Sequence, residues 1–168
     1  MKKNLVTGGA GFLGSNIVNE LLNLGEEVVV FDNGFRQDFT NIEGIKGKFS
    51  LIKGDITTKE DWERLPKDFD TVYHLAAING TRYFYEIPEK VLSVNVNGVM
   101  NFVNWLHTSD VKRFFFSSSS EVYGFPKVFP TPETEELSIP DPTNPRFSYS
   151  SSKMLGEIIV INFARSFG

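Results

Sequence analysis

Two apolar periods alternate along the chain. Residues 4–7 form a short apolar run that ends at glycines, as a strand running into a turn would. Over residues 11–24, Leu13, Ile17, Leu21 and Leu24 recur at i, i+4, i+8 and i+11, which predicts a helix with one apolar face, closed by Gly25. Residues 27–31 are continuous and β-branched, as expected of a strand covered on both faces. A third strand is predicted over 48–53. A short helix follows over 58–65, with Thr57 or Thr58 as its cap and Pro66 after it, then a fourth strand over 71–75. Residues 88–107 read as a long helix with Leu92, Val96, Val99, Val103 and Leu106 on its buried face. A fifth strand over 111–117 and a last helix over 147–167 complete the series.

Strands alternating with helices predict a single α/β domain over residues 1–168, its parallel sheet doubly wound with helices on both faces. Right-handed crossovers then give the strand order 3-2-1-4-5. Residues 125–146 stand apart. They hold six of the eight prolines and four acids, so no regular element is expected there. A loop of that length in a compact domain commonly serves as a lid or a binding loop.

Composition narrows the chemistry. The 168 residues include no cysteine, which removes disulfides, Cys-based zinc sites and a Cys nucleophile. With only His74 and His107, a multi-histidine metal site is not expected either, and the metal assignment is none. A net charge of -4 argues against nucleic acid as a partner. No apolar run reaches the ~20 residues of a membrane span and no cleavable leader is visible, so a cytoplasmic protein without membrane contact is expected.

Thr7-Gly8-Gly9-Ala10-Gly11-Phe12-Leu13-Gly14 lies between the first strand and the first helix, with Gly8, Gly11 and Gly14 spaced three apart. The first glycine suits a turn with unusual dihedrals. The second lets the backbone approach a pyrophosphate, and the third lets helix and strand pack closely. The helix start then offers N–H groups and partial positive charge to phosphates. The second strand ends at Asp32, 18 residues beyond Gly14. An acid there can accept both ribose hydroxyls of an adenosine and repel a 2′-phosphate, which favours NAD over NADP, with Arg36 nearby weakening that preference slightly. Asp32-Asn33-Gly34 also suits a plain turn, but behind the glycine motif the cofactor assignment is preferred. Gly54-Asp55-Ile56 follows the third strand, where Asp55 either accepts from an adenine amine or caps the turn.

Tyr149 and Lys153 are i and i+4 at the start of the last helix, so they share a face. An ammonium beside a phenol favours the phenolate and lowers its pKa from about 10, so that it can pass protons at neutral pH. Ser117-Ser118-Ser119-Ser120 ends the fifth strand, where a hydroxyl faces the crevice in which parallel sheets bind ligands. Either feature alone is common: Tyr-x-x-x-Lys pairs occur by chance, and a serine run is an ordinary polar strand end.

The glycine segment from Thr7 to Gly14, Asp32, Gly54-Asp55-Ile56, His74-Leu75-Ala76-Ala77, Asn95-Val96-Asn97-Gly98, the run from Ser117 to Gly124, and Tyr149-Ser150-Ser151-Ser152-Lys153 together resemble the extended short-chain dehydrogenase/reductase family. They are most similar to its nucleotide-sugar epimerases and dehydratases, in the family's order and over nearly the whole chain. The resemblance implies a Rossmann-type fold with NAD as cofactor. It implies Ser119, Tyr149 and Lys153 as catalytic residues, Ser119 being four before Tyr123 of Val-Tyr-Gly, with Glu121 as a further acid/base. The implied cofactor-binding residues are Gly8, Gly11, Phe12, Leu13, Gly14, Asp32, Asn33, Asp55, Ile56, Leu75, Ala76, Ala77, Asn95, Tyr149 and Lys153. Asn95 would also brace the site.

The implied chemistry is transient oxidation of a nucleotide-diphosphate sugar. Tyr149 takes a hydroxyl proton while hydride passes to NAD, and the keto-sugar is epimerised, dehydrated or decarboxylated. Ser119-Ser120-Glu121 resembles the Thr-Ser-Glu of UDP-glucuronate decarboxylases. Ser120 stands where dTDP-glucose dehydratases carry an Asp, and Asn79 where some UDP-galactose 4-epimerases carry a lysine. Arg82 either meets a substrate phosphate or, more ordinarily, sits solvated in a loop. Family members usually continue into a sixth strand and a C-terminal substrate domain, so a chain lacking both, with a bare edge beside its fifth strand, is expected. The family also implies a homodimer built on the two long helices. A carbonyl reductase of the same family shares these residues. A non-catalytic NAD(P)-binding sensor is the rival of another class, though a sensor needs no activated phenol.

Overall fold

The computed structural model describes residues 1–36 and 38–167. The chain divides into two compact units, one of residues 1–76 with 100–117, the other of residues 77–99 with those from 118 onward. The strands are β1 (Lys3–Thr7), β2 (Glu27–Asp32), β3 (Phe49–Lys53), β4 (Thr71–His74) and β5 (Arg113–Phe116). The helices are α1 (Phe12–Asn23), α2 (Thr40–Glu43), α3 (Lys59–Glu63), α4 (Thr81–Glu86), α5 (Pro88–Leu106) and α6 (Ser148–Phe167). Single 3₁₀ turns form at Ser120–Tyr123 and Pro145–Phe147.

The first unit is a parallel sheet in the expected order β3-β2-β1-β4-β5, the doubly wound α/β Rossmann type. Val28 to Phe31 of β2 are all buried, and alternation sends their side chains to two cores. Val28 and Val30 join Val6, Ala10, Val18, Leu21 and Ile42 on one face. Phe31, on the other, meets Trp62 edge-on at 5.3 Å, and Trp62 lies against Phe102 and Trp105 at 5.8 and 5.6 Å. Burying side chains of this size stabilises by roughly 2–3 kcal/mol each, against about 0–1 kcal/mol for an exposed ion pair. The aromatic face therefore outweighs the surface pairs. Among the described residues β5 pairs only with β4, and its half-exposed Phe115 stacks on Tyr73 at 5.1 Å.

Several elements depart from expectation for identifiable reasons. The buried stripe of α1 runs through Gly14, Ser15, Val18 and Leu21; Leu13 and Leu24 are exposed. Glycine at position 14 lets the start of α1 press against the preceding turn, which rotates that face inward. On α5 Val99, Val103 and Leu106 are buried as expected, but Leu92 is exposed, and Val91, Asn95 and Phe102 complete the buried face. The polar Asn95 interrupts the apolar period and hid this register. α2 lies in a segment for which no element was expected, and α4 holds Arg82, which was expected in a loop. β5 stops at Phe116, so the serine run follows the strand rather than ending it. Thr58 occupies the cap position of α3 without a capping side-chain bond. Residues 124–144 contain no helix or strand, as their prolines require.

The second unit has a small core of Ile78, Phe84, Val91 and Tyr149. Among the described residues no helix is long and apolar enough to cross a membrane, and no group of His, Asp and Glu could hold a metal ion.

Candidate functional site

In the first unit the turn from β1 into α1 is built from backbone. Gly8 has φ +70°, and a Cβ there would lie 2.8 Å from the Ala76 nitrogen. A Cβ on Gly14 would overlap the Gly8 carbonyl and approach Gly9 Cα to 2.6 Å. A Cβ on Gly11 would meet only the Gly8 oxygen, at 3.2 Å, and otherwise project into open space. That space is where a ligand can come up against the backbone. Gly11 provides no side-chain cap for α1, so the N–H groups of the exposed Phe12 and Leu13 face outward at the positive end of the helix. An open, glycine-lined helix start of this kind fits a dinucleotide pyrophosphate.

Asp32 closes the same turn. Its Oδ2 accepts from the Ala10 N–H at 3.0 Å and its Oδ1 from the Gly34 N–H at 2.8 Å. Each oxygen keeps a further lone pair for a hydroxyl donor. Asn33 donates to Asp55 Oδ2 at 2.8 Å, and Asp55 Oδ1 accepts from the Thr57 N–H at 2.8 Å and its hydroxyl at 2.7 Å. Asp55 thus caps a turn and tethers Asn33. Ile56 is buried, and its carbonyl accepts from Trp62 Nε1 at 2.8 Å and Asn101 at 3.0 Å.

One hydroxyl sets the backbone after β4. Thr7 Oγ1 accepts from the N–H groups of Leu75 and Ala76, both at 3.2 Å, which uses its two lone pairs. The same hydroxyl shares a hydrogen bond of 2.9 Å with His74 Nδ1. His74 is packed flat on Phe102 at 4.5 Å.

In the second unit α6 carries Tyr149 and Lys153 one turn apart. Both are buried, at 5 % and 3 % exposure, and Lys153 Nζ lies 5.8 Å from the centre of the Tyr149 ring. Burial pushes the Lys153 ammonium down from 10.5 to about 8, because removing water penalises the charged form. Phe84 of α4 stacks on the Tyr149 ring at 5.0 Å and 12°. Asn95 of α5 accepts from the Ile78 N–H at 2.7 Å and donates to the Ile78 carbonyl at 3.2 Å. It also donates to Ser152 Oγ at 2.9 Å, and Ser152 donates to the Tyr149 carbonyl at 2.7 Å. Both N–H donors of Asn95 are engaged in this brace, which holds the turn of α6 bearing the tyrosine and lysine.

Ser119 caps the first 3₁₀ turn, its Oγ accepting from the Glu121 N–H at 3.3 Å. Both Glu121 oxygens accept from Arg146 Nη2 at 3.2 Å. Ala77 is half-buried at the start of this unit. Arg82 is on α4, exposed and paired through Nε with both Glu86 oxygens at 2.9 and 2.8 Å, rather than in a loop.

The structure therefore gathers the glycines, Asp32, Asn33, Asp55, Leu75 and Ala76 in the first unit, and Ala77, Asn95, Ser119, Glu121, Tyr149 and Lys153 in the second. Sequence reasoning passed over Thr7, Phe84 and Arg146. For Arg146 a signal existed: Asn144 accepts from the Arg146 N–H and Pro145 follows it, the cap-then-proline start of a helical turn.

Residues 4–168 match the model of the NAD dependent epimerase/dehydratase family. The chain is similar to UDP-glucose 4-epimerase of Haemophilus influenzae, at 34% identity over 96% of this chain and 48% of that protein. It is similar to UDP-glucuronic acid decarboxylase 1 of Arabidopsis thaliana, at 33% identity over 98% of this chain and 37% of that protein. Among solved structures it is similar to UDP-glucose 4-epimerase of Thermotoga maritima with UDP-glucose, with a TM-score of 0.82 and 34% identity over 97% of this chain and 51% of that one. It is likewise similar to UDP-glucose 4-epimerase from Bifidobacterium longum in complex with NAD+ and UDP, with a TM-score of 0.85 and 27% identity over 98% of this chain and 49% of that one. The chain spans about half the length, or less, of these relatives. With the parallel sheet and glycine turn already described, these matches establish that the chain belongs to the NAD dependent epimerase/dehydratase family.

Proposed function

We propose that this chain carries the NAD cradle and the acid/base pair of an enzyme that epimerises a nucleotide-diphosphate sugar, a UDP-sugar foremost. The observation that carries this is the buried Tyr149–Lys153 pair, held by the Asn95–Ser152 brace and the Phe84 stack. A surface Tyr-x-x-x-Lys repeat would have no such support.

The cofactor would be held by the N–H groups at the start of α1, with Asp32 at the adenosine ribose. NAD, when bound, supplies the acceptor and later the donor of hydride. Everything else falls to side chains. The Tyr149 phenolate takes the proton of a sugar hydroxyl as that carbon is oxidised, and returns it to the same oxygen when the keto carbon is reduced on its opposite face. The Lys153 ammonium stabilises the phenolate. The Ser119 hydroxyl donates to the same sugar oxygen.

A decarboxylase of nucleotide-diphosphate uronic acids is the second reading. It is favoured by Glu121, two residues from Ser119 and gripped by Arg146, and by similarity to UDP-glucuronic acid decarboxylases.

The test loads the chain with NAD, adds UDP-glucose, UDP-galactose or UDP-glucuronate, and follows the absorbance of reduced nicotinamide. Reduction should appear with one of them and fall by about 10²–10⁴-fold in Tyr149→Phe, with NAD still bound. Undiminished reduction in Tyr149→Phe would remove the acid/base role. NAD binding without reduction by any sugar would favour a binding module.

A further inference from the structure

Nothing in the sequence singles out Asn41, a solvent-exposed residue of the short helix α2. Its side chain nevertheless reaches the middle of the glycine turn, where Nδ2 donates to the Ala10 carbonyl at 2.9 Å. The other end of the same residue is also held, since the Ala10 N–H donates to Asp32. The Gly11 N–H, in the same peptide as the Ala10 carbonyl, donates to Gly8 at 3.0 Å. Two successive peptides of the turn are thus pinned, and Asn41 is the donor that fixes one carbonyl.

We propose that Asn41 is a positioning residue of the dinucleotide cradle: by holding the Ala10 carbonyl, it fixes the backbone that presents the α1 N–H groups to a pyrophosphate. This rests on the cofactor assignment above. The physical need is specific. With glycine at position 11, the Ala10–Gly11 peptide is held without Asn41 only by its N–H bond to Gly8. A carbonyl released from its donor can swing toward an incoming phosphate, setting an acceptor against an anion. The anchorage of α2 comes from Ile42, buried in the core beside Asn41.

The test is calorimetric titration of the wild-type chain, Asn41→Ala and Asn41→Asp with NAD, ADP and adenosine, with melting temperatures measured alongside. Asn41→Ala should weaken NAD and ADP by about threefold to tenfold, the scale of one hydrogen bond. Asn41→Asp should weaken them further, because a carboxylate faces the carbonyl as an acceptor and brings negative charge near the phosphates. Adenosine, which has no phosphate, should bind all three proteins alike. Equal losses for adenosine and NAD would overturn the proposal in favour of general damage to the site, and so would unchanged NAD affinity in both variants. If the wild-type chain binds neither NAD nor ADP, the cofactor assignment itself fails and takes this role with it, a result distinct from one confined to the variants.

Discussion

The glycine turn after β1 and the Tyr149–Lys153 pair of α6 are built by opposite means. The turn is backbone: glycines at 8, 11 and 14 bring main-chain groups together, and the side chains around it (Asp32, Asn41, Thr7) serve to fix peptides. The pair on α6 is side chain: a phenol and an ammonium, both buried, supported by Phe84, Asn95 and Ser152 from elsewhere in their unit. A backbone site tolerates no added atoms. A buried charge is tolerated only at a cost in stability, which is retained for chemistry. Substitutions in the two regions should therefore move stability in opposite directions.

The largest effect is expected at Gly14. Its missing Cβ faces the Gly8 carbonyl and the Gly9 Cα, and backbone on both sides cannot yield. Gly14→Val should cost about 3 kcal/mol or more in denaturant unfolding. Wild-type stability in that variant would show the turn to be looser than its packing implies.

Lys153→Met should act in the other direction. The unfolded chain keeps this proton up to about 10.5 and the folded chain only to about 8, so between these values the unfolded state holds more protons and stability rises with pH. Below pH 8 the whole penalty applies. The methionine variant should be more stable than wild type at pH 7, by up to a few kcal/mol, and lose that advantage as pH climbs from 8 toward 10.5. A flat difference across that range would place the lysine's charge in water. The smallest effect is expected at Arg82. Its exposed pair with Glu86 joins neither region, and Arg82→Ala should leave melting temperature and NAD affinity unchanged.

The contrast also explains how much could be seen in advance. The strand order and the glycine turn were legible because parallel strands and a tight strand-to-helix turn leave fixed spacings in the chain. On α1 and α5 Leu21, Val99, Val103 and Leu106 are buried as expected, whereas Leu13, Leu24 and Leu92 are exposed, because Gly14 and Asn95 are buried for reasons other than hydrophobicity. α4 was missed because Tyr83, Phe84 and Tyr85 are aromatic in a row, with no helical period, and only packing on Tyr149 gives Phe84 its place. Asn41 could not be found by spacing, since its partner Ala10 lies 31 residues away and is reached only once α2 has folded.

The most direct measurement is calorimetric titration of the chain with NAD and, separately, NADP. The side chain of Asp32 lies at the end of β2, held by two backbone N–H groups, where an adenosine ribose would rest. NAD should bind, and NADP should bind markedly more weakly. Equal or tighter binding of NADP, or no binding of either, would contradict the assignment of the glycine turn and Asp32 as an NAD cradle.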